Sequence, residues 1–186
     1  MAKVTSTHID LLRHGACEGG EIFRGSTDVA LSELGWQQMR DAIQVDDQWD
    51  HILTSPLLRC REFAAELSAQ QHIPFTVAHD FKEISFGDWE GKTREQVAAE
   101  YGDHQANFWR DAENHPPVNG ETIQAFHQRI GDEIRQQGQD CRGRGRPGVR
   151  GVTDPRQPGR GGVLGGPRVP VAVVGAGADP VRESHR

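Results

Sequence analysis

Four side chains in the first half of the sequence together carry the groups needed to move a phosphoryl group. They are two arginines, a histidine and a glutamate: Arg13, His14, Arg59 and Glu83. Guanidinium groups match the shape and charge of phosphate oxygens. A neutral histidine can attack phosphorus to form a covalent intermediate, and a carboxylic acid can protonate the departing alkoxide and then activate water. Because the arginines would supply the positive field, we predict neither a metal ion nor a cofactor.

The elements that precede these residues would bring them to one edge of a sheet. Short apolar runs at 8–12, 51–54 and 73–77 predict strands, and helical periodicity lies between them. Alternation of this kind predicts an α/β sheet covered on both faces. In such sheets, reactive groups lie on loops beyond the carboxyl ends of the strands. We therefore expect Arg13 and His14, after the first strand, to share a rim with 55–59, after the second.

The helices are predicted from caps and apolar periodicity. Ser32 is a suitable N-cap for a helix reaching about Val45, with Leu34 and Met39 facing inward. The pair Ser55-Pro56 predicts a second helix with proline at its first position. Further helices are expected near 94–101, 104–111 and 121–134, separated by an irregular segment at 81–91 and a loop at 114–120.

Composition and charge narrow the class of protein. The formal net charge of the 186 residues is −6, which argues against general nucleic-acid binding. No apolar run approaches membrane-spanning length, and the first residues do not resemble a signal peptide. The three cysteines, Cys17, Cys60 and Cys141, lack paired spacing, so we expect reduced thiols and a cytoplasmic protein. The expected partner is a small-molecule phosphate ester, and oligomeric state is not predicted.

The composition changes abruptly after residue 140. The segment 141–186 contains nine arginines, no lysine, eleven glycines and six prolines, and all twelve aromatic residues precede it. Because such a segment lacks large apolar side chains, we predict an incomplete domain over 1–140 and a tail over 141–186 without stable structure. The run VPVAVV at 169–174 has the composition of a strand, but we expect the tail to add none to the sheet.

Several segments, in order, resemble the histidine phosphatase superfamily, whose members have the phosphoglycerate mutase-like fold. They are LLRHG (11–15), FRGSTDVALSELGWQQM (23–39), TSPLLRCREFA (54–64), FKEISFGDWEG (81–91) and PPVNGETIQAFHQRI (116–130). The resemblance implies a three-layer α/β/α sandwich. It also implies that His14 is the phosphorylated nucleophile, that Arg13 and Arg59 hold the phosphate, and that Glu83 donates the proton.

Two sequence segments and three positions near His14 indicate the kind of substrate. ACEGGEIFRGSTD and GWQQM resemble the α-ribazole phosphatases of cobalamin biosynthesis, whereas a broad-specificity or sugar-phosphate phosphatase of the same superfamily is the alternative. Mutase-like members usually carry an acidic residue, Thr or Ser, and Asn where this sequence has Ala16, Cys17 and Gly20. Glycine supplies no side-chain amide, which favours a phosphatase over a mutase. Cys17 either lines the substrate pocket or is a buried small thiol.

The family's second active-site histidine has no counterpart. The resemblance implies it near 145–155, where the sequence reads RGRGRPGVRGV followed by TDPR, and the only histidine after His127 is His185. We expect impaired turnover. One hypothesis is that 141–186 is translated out of frame, since CGN-GGN repeats shifted by one base encode only Val, Ala, Asp, Glu or Gly, which can form a Val/Ala strand. The alternative of another class is an inactive pseudo-phosphatase, or an RNA-binding module that uses the Arg/Gly tail.

Overall fold

The structure is a computed structural model that describes residues 8–44, 47, 49–143, 152–153 and 170–175. Strands and helices alternate along most of the chain. In chain order they are β1 (His8–Arg13), α1 (Glu33–Ala42), β2 (His51–Thr54), α2 (Leu58–Gln71), β3 (Phe75–Val77), 3₁₀ turns at His79–Phe81 and Gly87–Trp89, α3 (Arg94–Arg110), α4 (Ile123–Gly143), β4 (Val152–Thr153) and β5 (Pro170–Gly175).

The strands form one parallel sheet with the order β3-β2-β5-β1-β4. Leu11 of β1 and Leu53 of β2 both pair with Val173 of β5, one on each side. Since all these strands run in the same direction, their carboxyl ends lie at one edge. The prediction that the residues after β1 and β2 share a rim is therefore confirmed, as is the α/β fold class.

Two strands come from the tail, which corrects the expectation that it adds none. Val152–Thr153 pairs with β1, and Pro170–Gly175 occupies the centre of the sheet. The local run of β-branched residues fits a parallel strand flanked on both sides, and this outweighs the average composition of the tail. The other residues after 143 lie outside the described part, including the Arg/Gly repeat from 144 onward and most of the window for a second histidine.

Helix α1 begins as predicted but packs through a different face. The Ser32 hydroxyl accepts a hydrogen bond from the Gly35 amide at 3.1 Å, as an N-cap should. Met39 is fully buried, whereas Leu34 is 61% exposed, so the inward orientation predicted for Leu34 is wrong. The reason is Gly35, where a Cβ would lie 1.9 Å from the Ala16 carbonyl oxygen. Close approach at glycine turns the Gly35–Met39 face toward the sheet.

Helix α2 begins two residues later than the proline signal predicted. Leu57 is its N-cap with extended backbone, and the Asp28 carboxylate accepts from the Leu58 amide at 2.7 Å. The predicted apolar face is confirmed: Cys60, Phe63, Ala64 and Leu67 are buried in a core cluster.

Helix α3 is a pair of short helices joined at Gly102. This glycine has φ of 41° and ψ of −112°, a conformation that residues with a Cβ rarely adopt. The two predicted helices near 94–101 and 104–111 therefore correspond to the two halves of α3. The two halves contribute Val97 and Phe108 to a second core cluster, which also includes Phe23 and Trp89. Within the described part of the chain, no helix has the length and apolar character needed to cross a membrane.

Candidate active site

The loop after β1 is fixed against the start of α1. Gly15 approaches Gly35 so closely that a Cβ on Gly15 would lie 2.3 Å from the Gly35 carbonyl oxygen. The Gln38 side chain accepts a hydrogen bond from the Ala16 amide at 2.8 Å, and the Ser32 amide donates to the Ala16 carbonyl at 3.0 Å. These contacts hold His14 at the carboxyl edge of the sheet.

The contacts of His14 select one tautomer of its ring. Nδ1 lies 2.8 Å from the carbonyl oxygen of Gly15. Because a carbonyl can only accept, Nδ1 carries the proton and the lone pair resides on Nε2. Burial lowers the pKa of His14 to about 4, and the charges of Arg59, Arg13 and Arg24 act in the same direction against the Gly15 hydrogen bond. The imidazole is therefore neutral near pH 7, which is the form that can act as a nucleophile.

Cys17 lies beside this histidine. Its Sγ is 3.7 Å from His14 Nδ1 and 3.6 Å from the Gly15 carbonyl oxygen. Burial raises the pKa of the thiol, outweighing the opposite effect of Arg24 and Arg59. Cys17 is thus a protonated, half-buried group at the cavity wall. Of the two alternatives drawn from the sequence, the structure places it in the pocket lining.

Arg59 is buried next to the cavity and binds the backbone of the 24–27 loop. Its side chain is fully buried at the start of α2. Nη1 donates to the Thr27 carbonyl at 2.9 Å, and Nη2 donates to the Gly25 carbonyl at 2.9 Å and the Arg24 carbonyl at 3.3 Å. Its Nε is buried without a hydrogen-bond partner among the described residues. Arg59 holds the 24–27 loop and adds positive charge near His14, but it does not line the cavity.

The same loop is held from its other side by Glu90. The carboxylate accepts from the backbone amides of Gly25, Ser26 and Thr27 at 3.1, 2.8 and 3.0 Å. It also accepts from both hydroxyls of Ser26 and Thr27 and from the Phe86 amide. Burial alone would raise the pKa of Glu90, but these hydrogen bonds, led by that of Thr27, lower it overall. The folded state therefore favours the ionised carboxylate of Glu90, which accepts these hydrogen bonds.

Glu83 lies in the cavity wall and is 6% exposed. Its Oε1 accepts from the Ile84 amide at 2.8 Å. Burial raises the pKa of this carboxyl despite that hydrogen bond and the nearby charges of Arg59, Arg129 and Arg13. A carboxyl group with a raised pKa is suited to donating a proton near neutral pH.

These groups surround a cavity of about 430 Å³. Of the residues predicted from the sequence, it brings together Arg13, His14, Cys17 and Glu83, while Arg59 stands behind it. The remaining lining residues are Ala16, Gly20, Glu21, Ile22, Phe23, Arg24, Phe86, Arg94 and Trp109.

A family model described as "Histidine phosphatase superfamily (branch 1)" matches residues 9–145. The chain belongs to the histidine phosphatase superfamily. The match spans β1 to the end of α4, and it includes every residue assigned above to the cavity wall.

Individual relatives of this superfamily are similar at low identity. The uncharacterized phosphatase PhoE of Bacillus subtilis is 34% identical over 102 residues, which is 53% of this chain and 53% of that protein. The adenosylcobalamin/alpha-ribazole phosphatase of Salmonella typhimurium is 29% identical over 64% of this chain and 61% of its own length. The chain thus spans roughly half to three fifths of these relatives.

Solved structures agree on the fold. The mycobacterial glucosyl-3-phosphoglycerate phosphatase superposes with a TM-score of 0.66 at 27% identity, covering 90% of this chain and 72% of that one. The alpha-ribazole phosphatase of Shigella flexneri gives a TM-score of 0.65 at 24% identity, covering 77% and 71%. The predicted phosphoglycerate mutase-like class is confirmed by these likenesses and by the family match.

Arg24 is one of the cavity-lining residues that were not predicted from the sequence. Its Nη2 donates to the carbonyls of Gly20 and Glu18 at 2.6 and 2.8 Å, and its charge contributes to the lowered pKa of His14. Its buried Nε has no hydrogen-bond partner among the described residues. Gly20, which replaces the usual asparagine, has φ of 72°. Nothing in the sequence distinguishes Arg24 from a surface arginine.

Proposed function

We propose that this chain is a phosphatase that hydrolyses a small-molecule phosphate monoester through a phosphohistidine on His14. The observation that carries the proposal is the His14 imidazole, whose Nδ1 is engaged by the Gly15 carbonyl, in a cavity that Arg13, Arg24 and the buried Glu83 carboxyl also line. A fixed tautomer leaves Nε2 as the nucleophile, and the arginines offset the charge of the phosphate oxygens.

The reaction has two steps. Nε2 of His14 attacks phosphorus, the bond from phosphorus to the ester oxygen breaks, and that oxygen receives the proton of Glu83. The Glu83 carboxylate then removes a proton from water, whose oxygen attacks phosphorus and releases the imidazole as orthophosphate forms. Both residues return to their starting protonation states. Arg13 and Arg24 line the cavity and are the proposed phosphate ligands there, while Arg59 acts through the 24–27 loop.

The proposed substrate is α-ribazole 5′-phosphate. Its support is the likeness of segments 16–28 and 35–39 to α-ribazole phosphatases and the similarity to the protein of that name from Salmonella typhimurium. A broad-specificity or sugar-phosphate phosphatase remains the alternative, supported by the likeness to glucosyl-3-phosphoglycerate phosphatase. A panel of α-ribazole 5′-phosphate, glucose 6-phosphate and glycerol 3-phosphate decides between them by kcat/KM.

The test of the proposed chemistry is a phosphohistidine trap. The chain is mixed with ³²P-labelled phosphate ester and quenched in alkali, in which phosphohistidine survives. Label is expected on the unmodified protein and on H79Q, since His79 is exposed and lies outside the cavity lining, but not on H14Q. An unlabelled chain that binds no phosphate contradicts the proposal.

Turnover is a separate measurement. The family's second histidine is absent from the sequence of 145–155, so we expect label to form faster than it is lost. Re-reading the coding DNA from about codon 130 tests the reading-frame hypothesis. An inserted or deleted base whose correction restores an apolar strand followed by histidine supports it, and an unchanged frame refutes it.

A further inference from the structure

The mouth of the cavity is built by the two halves of α3 folding back on each other. Arg94 is the first residue of this helix and Trp109 is near its last. In a straight helix these residues would be about 22 Å apart along the axis, at 1.5 Å per residue. The break at Gly102 instead brings the Arg94 guanidinium carbon to 5.3 Å from the centre of the Trp109 ring. The Gln105 side chain ties the halves together by donating to the Arg94 carbonyl at 3.2 Å.

Trp109 is an exposed aromatic residue that is nevertheless held in place. It is 42% exposed, and of the large exposed apolar side chains in the described residues it alone lines the cavity. Its ring lies 5.0 Å from Phe108 in an edge-to-face arrangement and 6.3 Å from Phe23 at 26°. The exposed part of the indole forgoes the stabilisation that burial of apolar surface would give. The surrounding rings nevertheless fix the orientation of the Trp109 side chain. A prearranged exposed aromatic surface is typical of a binding wall.

The chemistry of this wall differs from that of the cavity floor. The floor holds Arg13, Arg24 and His14, which serve the phosphate under the proposed function. The mouth presents Trp109 and Arg94, Phe86 is also in the lining, and Glu21 is the acidic lining residue besides Glu83. Guanidinium and indole surfaces both stack on aromatic rings, and they offer few acceptors for a polyhydroxylated group.

We infer that Arg94 and Trp109 form the specificity-determining surface for the leaving group, and that this surface takes an aromatic ring. The inference rests on the proposed function, because it assumes that the phosphate occupies the floor beside His14. It adds the two side chains that select the leaving group and the aromatic part of that group as what they recognise.

The experiment measures binding, so it does not depend on turnover. Calorimetry on the full chain compares inorganic phosphate with two non-hydrolysable phosphonate analogues of phosphate esters, benzylphosphonate and 3,4-dihydroxybutylphosphonate. Benzylphosphonate is expected to bind about three- to tenfold more tightly than the dihydroxybutyl compound, the range expected for one aromatic contact. Trp109→Leu, which keeps an apolar side chain, should bring this ratio close to one, and Arg94→Gln should reduce it.

A matched control comes from a second cation–π pair. The Arg40 guanidinium carbon lies 5.1 Å from the Trp36 ring centre on α1, and neither residue lines the cavity. Arg40→Gln should therefore leave the ratio unchanged. A ratio that survives Trp109→Leu, or equal affinities in the unmodified chain, overturns the inference while phosphate binding persists. Failure to bind all three compounds overturns the proposed function as well, and so the two failures are distinguishable.

Discussion

Arg129 and Glu121 form a two-point ion pair in which Nε lies 2.6 Å from Oε1 and Nη2 lies 2.7 Å from Oε2. The remaining N–H groups of Arg129 donate to three backbone carbonyls just before and at the proposed proton donor, those of Asp80, Lys82 and Glu83. All five guanidinium donors are thereby used. Arg129 connects α4 and the end of the 114–120 loop to the backbone that carries the proposed proton donor.

Arg129→Met should destabilise the chain and loosen Glu83. Replacing the half-buried guanidinium removes the hydrogen bonds that it donates to three carbonyls and one carboxylate. We therefore expect a loss of about 2–4 kcal/mol in the free energy of unfolding. Urea unfolding followed by tryptophan fluorescence measures it. Arg135→Met is the matched control on the same helix, because the Arg135–Asp132 pair is exposed on both sides and should contribute little. Equal unfolding midpoints for both variants would contradict this account.

His14 should titrate far below an ordinary histidine. Since its pKa is lowered to about 4, the folded state binds fewer protons than the unfolded state between about pH 4 and 6.5. Stability should therefore rise with pH across that window, by about 3 kcal/mol at most from this residue. Ring NMR shifts report the pKa, and His14→Gln should flatten the stability profile in the same window. A ring that titrates near pH 6.5 would refute the buried neutral imidazole.

Glu83 should behave oppositely. Its pKa is raised by burial, so the folded state favours the protonated form and stability from this residue is lost as pH rises through the folded pKa. Glu83→Gln removes that penalty and should be as stable as the unmodified chain, or more so, at pH 7. It should nevertheless slow histidine phosphorylation by about 10²–10⁴ for esters with poor leaving groups, and less for p-nitrophenyl phosphate. A stability loss with unchanged labelling rate would reverse the assignment.

Glu90→Ala should unfold the 24–27 loop locally. The substitution deprives four backbone amides, three of them in this loop, and two hydroxyls of their acceptor, and we expect a loss of about 2–4 kcal/mol. Because the pKa of Glu90 is lowered, its contribution is present above the ordinary glutamate pKa and lost on acidification. Hydrogen exchange at residues 25–27 measures the local effect. Glu66→Ala, which removes the surface partner of Arg40, is the control and should leave that exchange unchanged.

A proline in β5 should disrupt the whole sheet. Ala172 pairs with Asp10 on one side and Ile52 on the other, and proline in a central strand removes a ladder hydrogen bond and clashes with its neighbours. Ala172→Pro is expected to abolish cooperative unfolding, whereas Ala172→Val should retain it. Rapid amide exchange throughout 171–175 in the unmodified chain would show instead that this strand is not part of the folded sheet.

The strands and helices up to residue 134 were predictable because their signals are local. Ser32 as a cap, the apolar run at 51–54 and the helical spacing from Cys60 to Leu67 each act within a few residues. The active-site loop after β1 was also predictable, since an arginine and histidine directly follow an apolar run.

Other features depend on contacts between distant residues and left no sequence signal. The exposure of Leu34 follows from the contact between Gly35 and Ala16, and the position of Arg59 behind the cavity follows from the carbonyls of a loop 32 to 35 residues away. The place of β5 is the strongest case. The composition of the whole tail argued against any strand in it. The six-residue apolar segment nevertheless forms β5 because it pairs with β1 on one side and β2 on the other, and these partners are brought together only in the folded sheet.

The central position of β5 also has a consequence for how the protein is made. β1 and β2 emerge early in synthesis, but the strand that joins them follows α4 and most of the chain. Until it is synthesised, both early strands present open edges that can pair with other chains. During translation, the exposed edges of β1 and β2 must therefore be kept from pairing with other chains until β5 has been synthesised. The yield of folded protein in a cell should depend on chaperones and on translation speed.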